Sequence, residues 1–85
     1  MARYSVIVRK SVSRDLKGIP KTDVLRILAV IESLADDPRP PGTKKLSGQE
    51  RYRFRQGNYR ILYEIEDDML IVCVVKVRHR RDAYS

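Results

Sequence analysis

The spacing of hydrophobic positions changes along the chain, and the changes predict an order of secondary structure elements. β-Branched residues in "RYSVIVRK" predict a first strand from about residue 3 to residue 9. "VSRDLKG" predicts a short helix with Ser11 as its N-cap and Gly18 at its end. A second helix is expected from Pro20 to about Asp37, because apolar residues recur there at helical spacing and prolines follow. The apolar residues of this helix are Val24, Leu25, Ile27, Leu28, Ile31, Leu34 and Ala35.

Alternation with a period of two begins after the proline-rich loop "DPRPPGTKKLSGQE" and predicts three strands. "RYRFRQ" alternates strictly, and "GNYRILYEIE" places its tyrosines and isoleucines on one face. "DDMLIVCVVKV" is apolar at nearly every position, which is typical of a central strand covered on both faces. The connections at residues 56–58 and 66–68 have hairpin length, so these strands are expected to form an antiparallel meander.

The first strand has to join the same sheet to satisfy its hydrogen bonds. The predicted class is therefore α+β with the order β-α-α-β-β-β: an antiparallel sheet with two N-terminal helices packed on one face. A chain of 85 residues is expected to form a single domain, residues 1–85.

Cysteine content and apolar run length exclude several classes of protein. Cys73 is the only cysteine, so an intramolecular disulfide is impossible, and the ligands of a zinc site are missing. No signal peptide is recognised, and the longest apolar run is far shorter than the roughly 20 residues that span a bilayer. We therefore expect a cytoplasmic protein without metal, cofactor or membrane contact.

Charge points to a polyanionic partner. The chain carries 18 Lys and Arg against 11 Asp and Glu, a net charge of +7. A small basic domain is attracted to nucleic acids through counterion release, although an acidic protein partner or a solvated surface gives the same count.

The strand pattern gathers many of these cations. Arg53 and Arg55 are expected on the sheet face opposite the aromatic residues of their strand, with Arg60 close to Arg55 across the ladder. The ending "KVRHRRDAYS" adds Arg78 and the residues after it to the same region. Guanidinium forks suit phosphates, whereas a solvated edge with Glu64 as counter-ion is the alternative.

Several segments of the sequence resemble the RelE/ParE superfamily of bacterial toxins, most closely its RelE-like branch. They are "SLADDPRPPGTKKLSG", "YRFRQGNYRILYEIEDD" and "VVKVRHRRDAY", and the similarity covers essentially the whole chain. The resemblance implies a toxin of a type II toxin–antitoxin system that cuts mRNA in the ribosomal A site, next to rRNA. It also implies inactivation by an acidic, RelB-like antitoxin.

The same resemblance implies metal-independent endoribonuclease chemistry. The 2′-hydroxyl attacks the adjacent phosphate, leaving a 2′,3′-cyclic phosphate, and the reaction needs a base, an acid and positive charge at the phosphorane. The implied catalytic residues are Arg60, His79, Arg80 and Tyr84. The implied RNA-binding residues are Lys44, Lys45, Arg53, Arg55, Arg78 and Arg81.

The sequence departs from the RelE pattern, which has lysines at the positions of Arg53 and Arg55. Arginine is a poor general base but a good phosphate clamp, so proton transfer is assigned to Tyr84 and His79. A purely structural role for His79 is the alternative. Two further functions stay open for the whole chain: a ParE-like DNA gyrase inhibitor without nuclease activity, and a degenerate antitoxin-binding module.

Overall fold

The computed structural model of the chain describes residues 3–46 and 50–79, which form two helices and five strands. The elements are β1 (Ser5–Val8), α1 (Lys10–Leu16), α2 (Lys21–Ser33), β2 (Lys44–Lys45), β3 (Arg51–Gln56), β4 (Tyr59–Glu66) and β5 (Ile71–His79). The predicted α+β class and the order of its main elements are confirmed, with the two-residue β2 as an addition.

The strands form one mixed sheet in the order β1-β5-β4-β3-β2. The antiparallel meander of β3, β4 and β5 is present as predicted. β1 instead runs parallel to β5. The two helices return the chain to the end of the sheet at which β1 began, so β3 runs in the same direction as β1, and so does β5 after the two hairpins. The sheet is therefore mixed, rather than antiparallel throughout.

Helix α1 replaces a strand along the second half of β5. β1 pairs with β5 only as far as Val74. Beyond it the Ser11 hydroxyl donates to the carbonyl of Val75 (3.1 Å), and the Asp15 carboxylate accepts the backbone N–H of Val77 (3.0 Å). The N-cap prediction for Ser11 is wrong: Arg9 occupies that position, and Ser11 bonds to the sheet instead.

Helix α2 packs on one sheet face and closes the core. Ile27, Ile31 and Leu34 are buried against the tyrosines and isoleucines of β3 and β4, as the helical spacing predicts. Leu25 and Leu28 were expected in the same apolar face, but they are 58% and 42% exposed because they lie on the solvent side of the helix.

Strand β5 contains a bulge that reverses its facing pattern. Tyr63 pairs with Val74 and Leu62 pairs with Lys76, which leaves Val75 as the extra residue. The strand also begins later than the apolar run predicts, because Met69 and Leu70 belong to an exposed turn in which Leu70 has a φ of 55°.

The loop between α2 and β2 is held to the sheet at two points. The guanidinium of Arg39 binds both carboxylate oxygens of Asp67 (3.1 and 2.9 Å), and the buried Tyr63 hydroxyl donates to the carbonyl of Pro38 (2.8 Å). A turn then closes from Thr43 N–H to Pro40 carbonyl (3.0 Å), with Gly42 at φ 96°, and leads into β2.

No helix in the described ranges is both long and apolar enough to cross a membrane.

Candidate nucleic-acid interface

Two rows of side chains cross the sheet on the face opposite α2. Arg55, Arg60 and Arg78 are direct cross-strand partners on β3, β4 and β5. Their alternation with buried core residues sets them on the outer face. We call the surface formed by Arg53, Arg55, Arg60 and Arg78 the arginine face. The predicted proximity of Arg55, Arg60 and Arg78 is confirmed.

The second row lies one step further along the strands. Arg53 pairs with Leu62, and Leu62 pairs with Lys76. Lys44 of β2 pairs with Arg53 on the other side and extends the row. Leu62 and Lys76 were not predicted as part of the site. Strict alternation along β5 would place Lys76 on the same face as Val74, which is the helix side of the sheet. The bulge at Val75 shifts the alternation by one residue and places Lys76 on the outer face.

Acidic residues do not neutralise most of this surface. Within residues 3–46 and 50–79, Arg53, Arg55 and Arg78 form no ion pair. Glu64 was considered as their counter-ion, but it accepts from Arg9 and Arg51 instead, each at 3.4 Å. The positive potential is therefore concentrated at the β3–β4 hairpin end of the sheet, and it falls off toward Glu64.

A cavity of about 240 Å³ lies on the sheet surface beside β2 and β3. Gly42, Lys44, Arg53 and Arg55 line it. Its size and its three cations suit a phosphate group with part of a nucleotide, because arginine forks bind phosphate oxygens in pairs. The turn at Gly42 brings Lys44 into this position, and Gly42 was not predicted as a lining residue.

Lys45 lies apart from the other predicted phosphate ligands. It pairs with Tyr52, a core residue, and so points to the other side of the sheet from Lys44. Its ammonium group binds the Glu50 carboxylate at 3.0 Å, and this contact raises the pKa of Lys45 and lowers the pKa of Glu50.

His79 also lies on the helix side of the sheet. It is the cross-strand partner of Tyr59, which is buried, and the two rings meet edge to face with centroids 5.1 Å apart and planes at 86°. The sheet separates this ring from the arginine face.

The remaining predicted residues, Arg80, Arg81 and Tyr84, lie outside the described residues. The described part of the site can therefore bind and polarise phosphates but contains arginine and lysine, which are poor proton acceptors when charged. No group of three or more His, Cys, Asp and Glu residues that could hold a metal ion occurs within residues 3–46 and 50–79.

Comparison with solved structures defines the class of protein to which this fold belongs. The chain superposes on the crystal structure of the archaeal RelE–RelB complex from Pyrococcus horikoshii with a TM-score of 0.83. The identity is 29%, over 94% of this chain and 97% of the other. An E. coli RelE double mutant in the free state gives a TM-score of 0.76 at 18% identity, which shows the same fold.

Sequence comparison gives the family. The model of the family described as "ParE toxin of type II toxin-antitoxin system, parDE" matches residues 6–84, and the chain belongs to this family. A curated relative named putative toxin RelE1, from Methanocaldococcus jannaschii, is 31% identical over 98% of the chain and 97% of its own length. Toxin RelG of Mycobacterium tuberculosis is 33% identical over 95% of each. The protein is a RelE-like toxin of a type II toxin–antitoxin system.

Proposed function

We propose that the protein is a ribosome-dependent mRNA endoribonuclease whose arginine face binds the phosphates around the cleaved bond. The observation that carries the proposal is the row Arg55–Arg60–Arg78, three neighbouring guanidinium groups on an open sheet face. Within residues 3–46 and 50–79 Arg55 and Arg78 form no ion pair, so an anionic ligand would relieve the repulsion between neighbouring guanidinium groups. RNA as that ligand is what the resemblance to RelE-like toxins implies, and the relatives named putative toxin RelE1 and toxin RelG are consistent with it.

In this mechanism the arginines bind and polarise, while other groups move protons. Arg53, Arg55 and Lys44 hold the message through its phosphates. Arg60 and Arg80 stabilise the charge of the phosphorane formed when the 2′-hydroxyl attacks, and Tyr84 takes part in proton transfer. The products are a 2′,3′-cyclic phosphate and a 5′-hydroxyl. Removing one preorganised cation from such a transition state lowers the rate by roughly 10²- to 10³-fold.

Mapping mRNA ends by primer extension in bacteria that express the chain tests this function. We expect in-frame cuts in translated messages, with strong losses in Arg60→Gln, Arg80→Ala and Tyr84→Phe. Arg14→Gln/Lys17→Gln is a control for general charge loss, since both side chains are exposed, at the end of α1 and just after it, and form no ion pair within the described ranges. Equal losses in the control would refute a specific site.

Inhibition of DNA gyrase is the second candidate, because the family description refers to ParE and parDE. It predicts supercoiling defects and DNA breaks with intact messages. A supercoiling assay with purified gyrase, carried out in addition to primer extension, therefore distinguishes the two functions.

We also propose an acidic antitoxin as the physiological partner. The RelE structures from Pyrococcus horikoshii and Methanococcus jannaschii are toxin–antitoxin complexes, and a net charge of +7 favours an acidic segment. Such a segment neutralises the toxin by covering the arginine face. RNA cleavage that persists with saturating antitoxin would contradict this mode of inhibition.

A further inference from the structure

We propose that His79 is a positioning residue, which clamps the end of the β4–β5 ladder through Tyr59 and so holds Arg60 and Arg78 in place. The inference rests on the function proposed above, because it concerns the geometry of the same phosphate site. It assigns His79 a different task from the proton transfer expected from the sequence.

The pairing register places His79 directly beside the two arginines along the strand. Tyr59–His79 is the outermost pair of the ladder within the described residues, and the next pair inward is Arg60–Arg78. The two pairs face opposite sides of the sheet, so an aromatic contact on the helix side lies directly behind two cations on the open side. Tyr59 is 8% exposed and belongs to the core cluster, which makes it a fixed surface for the His79 ring.

The need for a clamp follows from how this end of β5 is supported. Within residues 3–46 and 50–79, β1 does not pair beyond Val74, and α1 supplies side-chain hydrogen bonds to Val75 and Val77. Two like charges that face each other across a ladder weaken the pairing between their strands. An edge-to-face ring pair on the opposite side offsets that weakening at the terminal pair.

The same geometry argues against acid–base chemistry by His79. A general acid or base has to reach the reacting oxygen within about 2.6–3.2 Å, directly or through one water. The His79 ring packs on Tyr59 across the sheet from Arg60 and Arg78, which bind the phosphate in the proposed site. In the proposed site, the β4 and β5 backbones therefore lie between the ring and a phosphate bound by Arg60 and Arg78.

Cleavage assays on two variants test the role. His79→Ala removes the ring, and we expect kcat/KM to fall about 10-fold or more, because small displacements of positioned groups lower rates steeply. His79→Phe keeps an aromatic ring but cannot transfer a proton, and we expect it to recover most of the lost activity. Its pH–rate profile should match that of the unmodified protein.

Amide hydrogen exchange provides the readout of the clamp itself. His79→Ala should speed exchange at residues 59–61 and 77–79 by at least about 10-fold relative to the α2 core amides, because the ladder end opens locally. His79→Phe should restore protection. Tyr59→Leu should give the same local loss as His79→Ala, and adding His79→Ala to it should change little.

Other outcomes overturn either this proposal or the function on which it rests. If His79→Phe is as inactive as His79→Ala and one limb of the pH–rate profile disappears in both variants, His79 transfers a proton. If His79→Ala is fully active or leaves exchange unchanged, the ring clamps nothing. If the unmodified protein cleaves no RNA, the proposed function fails. Exchange and binding of an uncleavable 2′-O-methyl RNA then still decide whether His79 positions the arginines.

Discussion

At the scale of single residues, the arginine face combines charge repulsion with the phosphate binding proposed for it. Arg55, Arg60 and Arg78 stand side by side across three strands, and directly opposed side chains are only about 4.5–5.5 Å apart at Cβ. Like charges at this separation destabilise a sheet by a fraction of a kcal/mol. Stability and activity therefore make opposite demands on these positions.

Replacing one of these cations separates the two demands. We expect Arg55→Gln to leave the free energy of unfolding unchanged or to raise it by about 0.2–1 kcal/mol, because it removes like-charge contacts. The same change should weaken RNA binding and cleavage. Urea denaturation measures the first effect and a cleavage assay the second. A variant that loses stability and activity together would contradict this account.

Asp67 is the residue whose ionisation most clearly affects stability. Hydrogen bonds from Arg39 and Tyr4 lower its pKa from 3.8 to about 2. The folded state therefore prefers the carboxylate more strongly than the unfolded chain does. The stabilisation from this contact is complete above pH 3.8 and is lost as the pH falls toward about 2.

Asp67→Asn should remove this part of the acid sensitivity. We expect the variant to have a lower Tm than the unmodified protein at pH 6, with the difference shrinking between pH 4 and pH 2. Thermal denaturation at a series of pH values measures the effect. Asp68→Asn is the control, since its side chain belongs to the same exposed turn and forms no ion pair within the described ranges.

At the scale of elements, the bulge in β5 marks the limit of what the sequence predicts. The alternation of β3 and β4 gives the facing of Arg53, Arg55 and Arg60 directly, because one face of each strand is apolar. β5 is apolar on both faces, so its pattern contains no facing information. The extra residue Val75 reverses the alternation, and the facing of Lys76, Arg78 and His79 follows from the bulge alone.

The other deviations have equally local causes. Ser11 satisfies the rule for an N-cap, yet its hydroxyl bonds to β5, so a tertiary contact outweighs the local preference. Leu25 and Leu28 fit a helical apolar face, but the sheet covers only the side of α2 that carries Ile27 and Ile31. Local sequence thus predicts where the helices and strands lie, but it does not predict which side chains of a helix contact the sheet.

The turn before β2 offers a matched pair of glycine variants. Gly42 has a φ of 96°, which L-residues rarely adopt, whereas an added Cβ would meet Phe54 only at an ordinary 3.8 Å. We expect Gly42→Ala to destabilise the protein by about 1 kcal/mol through backbone strain alone. Gly18→Ala is the control, because an added Cβ there meets nothing within 4 Å.

Chemical denaturation of both variants gives the comparison. Gly18→Ala should be neutral or stabilise by up to about 1 kcal/mol, because alanine reduces the freedom of the unfolded chain. A Gly42→Ala protein as stable as Gly18→Ala would show that the turn tolerates another conformation. Since the turn carries Lys44 into the cavity with Arg53, the same variant is expected to weaken phosphate binding.

At the scale of the whole molecule, the excess of positive charge is unevenly distributed. Salt bridges neutralise charge around Glu64 and at Arg39, while Arg53, Arg55 and Arg78 form no ion pair in the part of the chain that the structure describes. Specific binding should therefore release counterions at the arginine face rather than over the whole surface.

Salt dependence of binding tests this distribution. For an uncleavable 2′-O-methyl RNA strand, Arg55→Gln/Arg60→Gln should reduce the slope of log affinity against log salt by about 1 to 1.5, or about 0.7 per lost phosphate contact. Arg14→Gln/Lys17→Gln removes the same charge from α1 and should leave the slope nearly unchanged. Fluorescence anisotropy between 50 and 300 mM KCl measures both, and equal slopes would mean that net charge alone drives binding.

The contact between Asp15 and the backbone of Val77 has a consequence for how the protein behaves in a crowded solution. A β-strand whose amides face solvent is a template on which another polypeptide can pair, and proteins protect such edges. β1 protects β5 only up to Val74, and α1 then seals the next stretch by supplying a carboxylate where a neighbouring strand would supply a carbonyl. Helix α1 thus covers a stretch of strand edge on which a second molecule could pair, and we expect Asp15→Ala to expose the Val77 amide to such pairing.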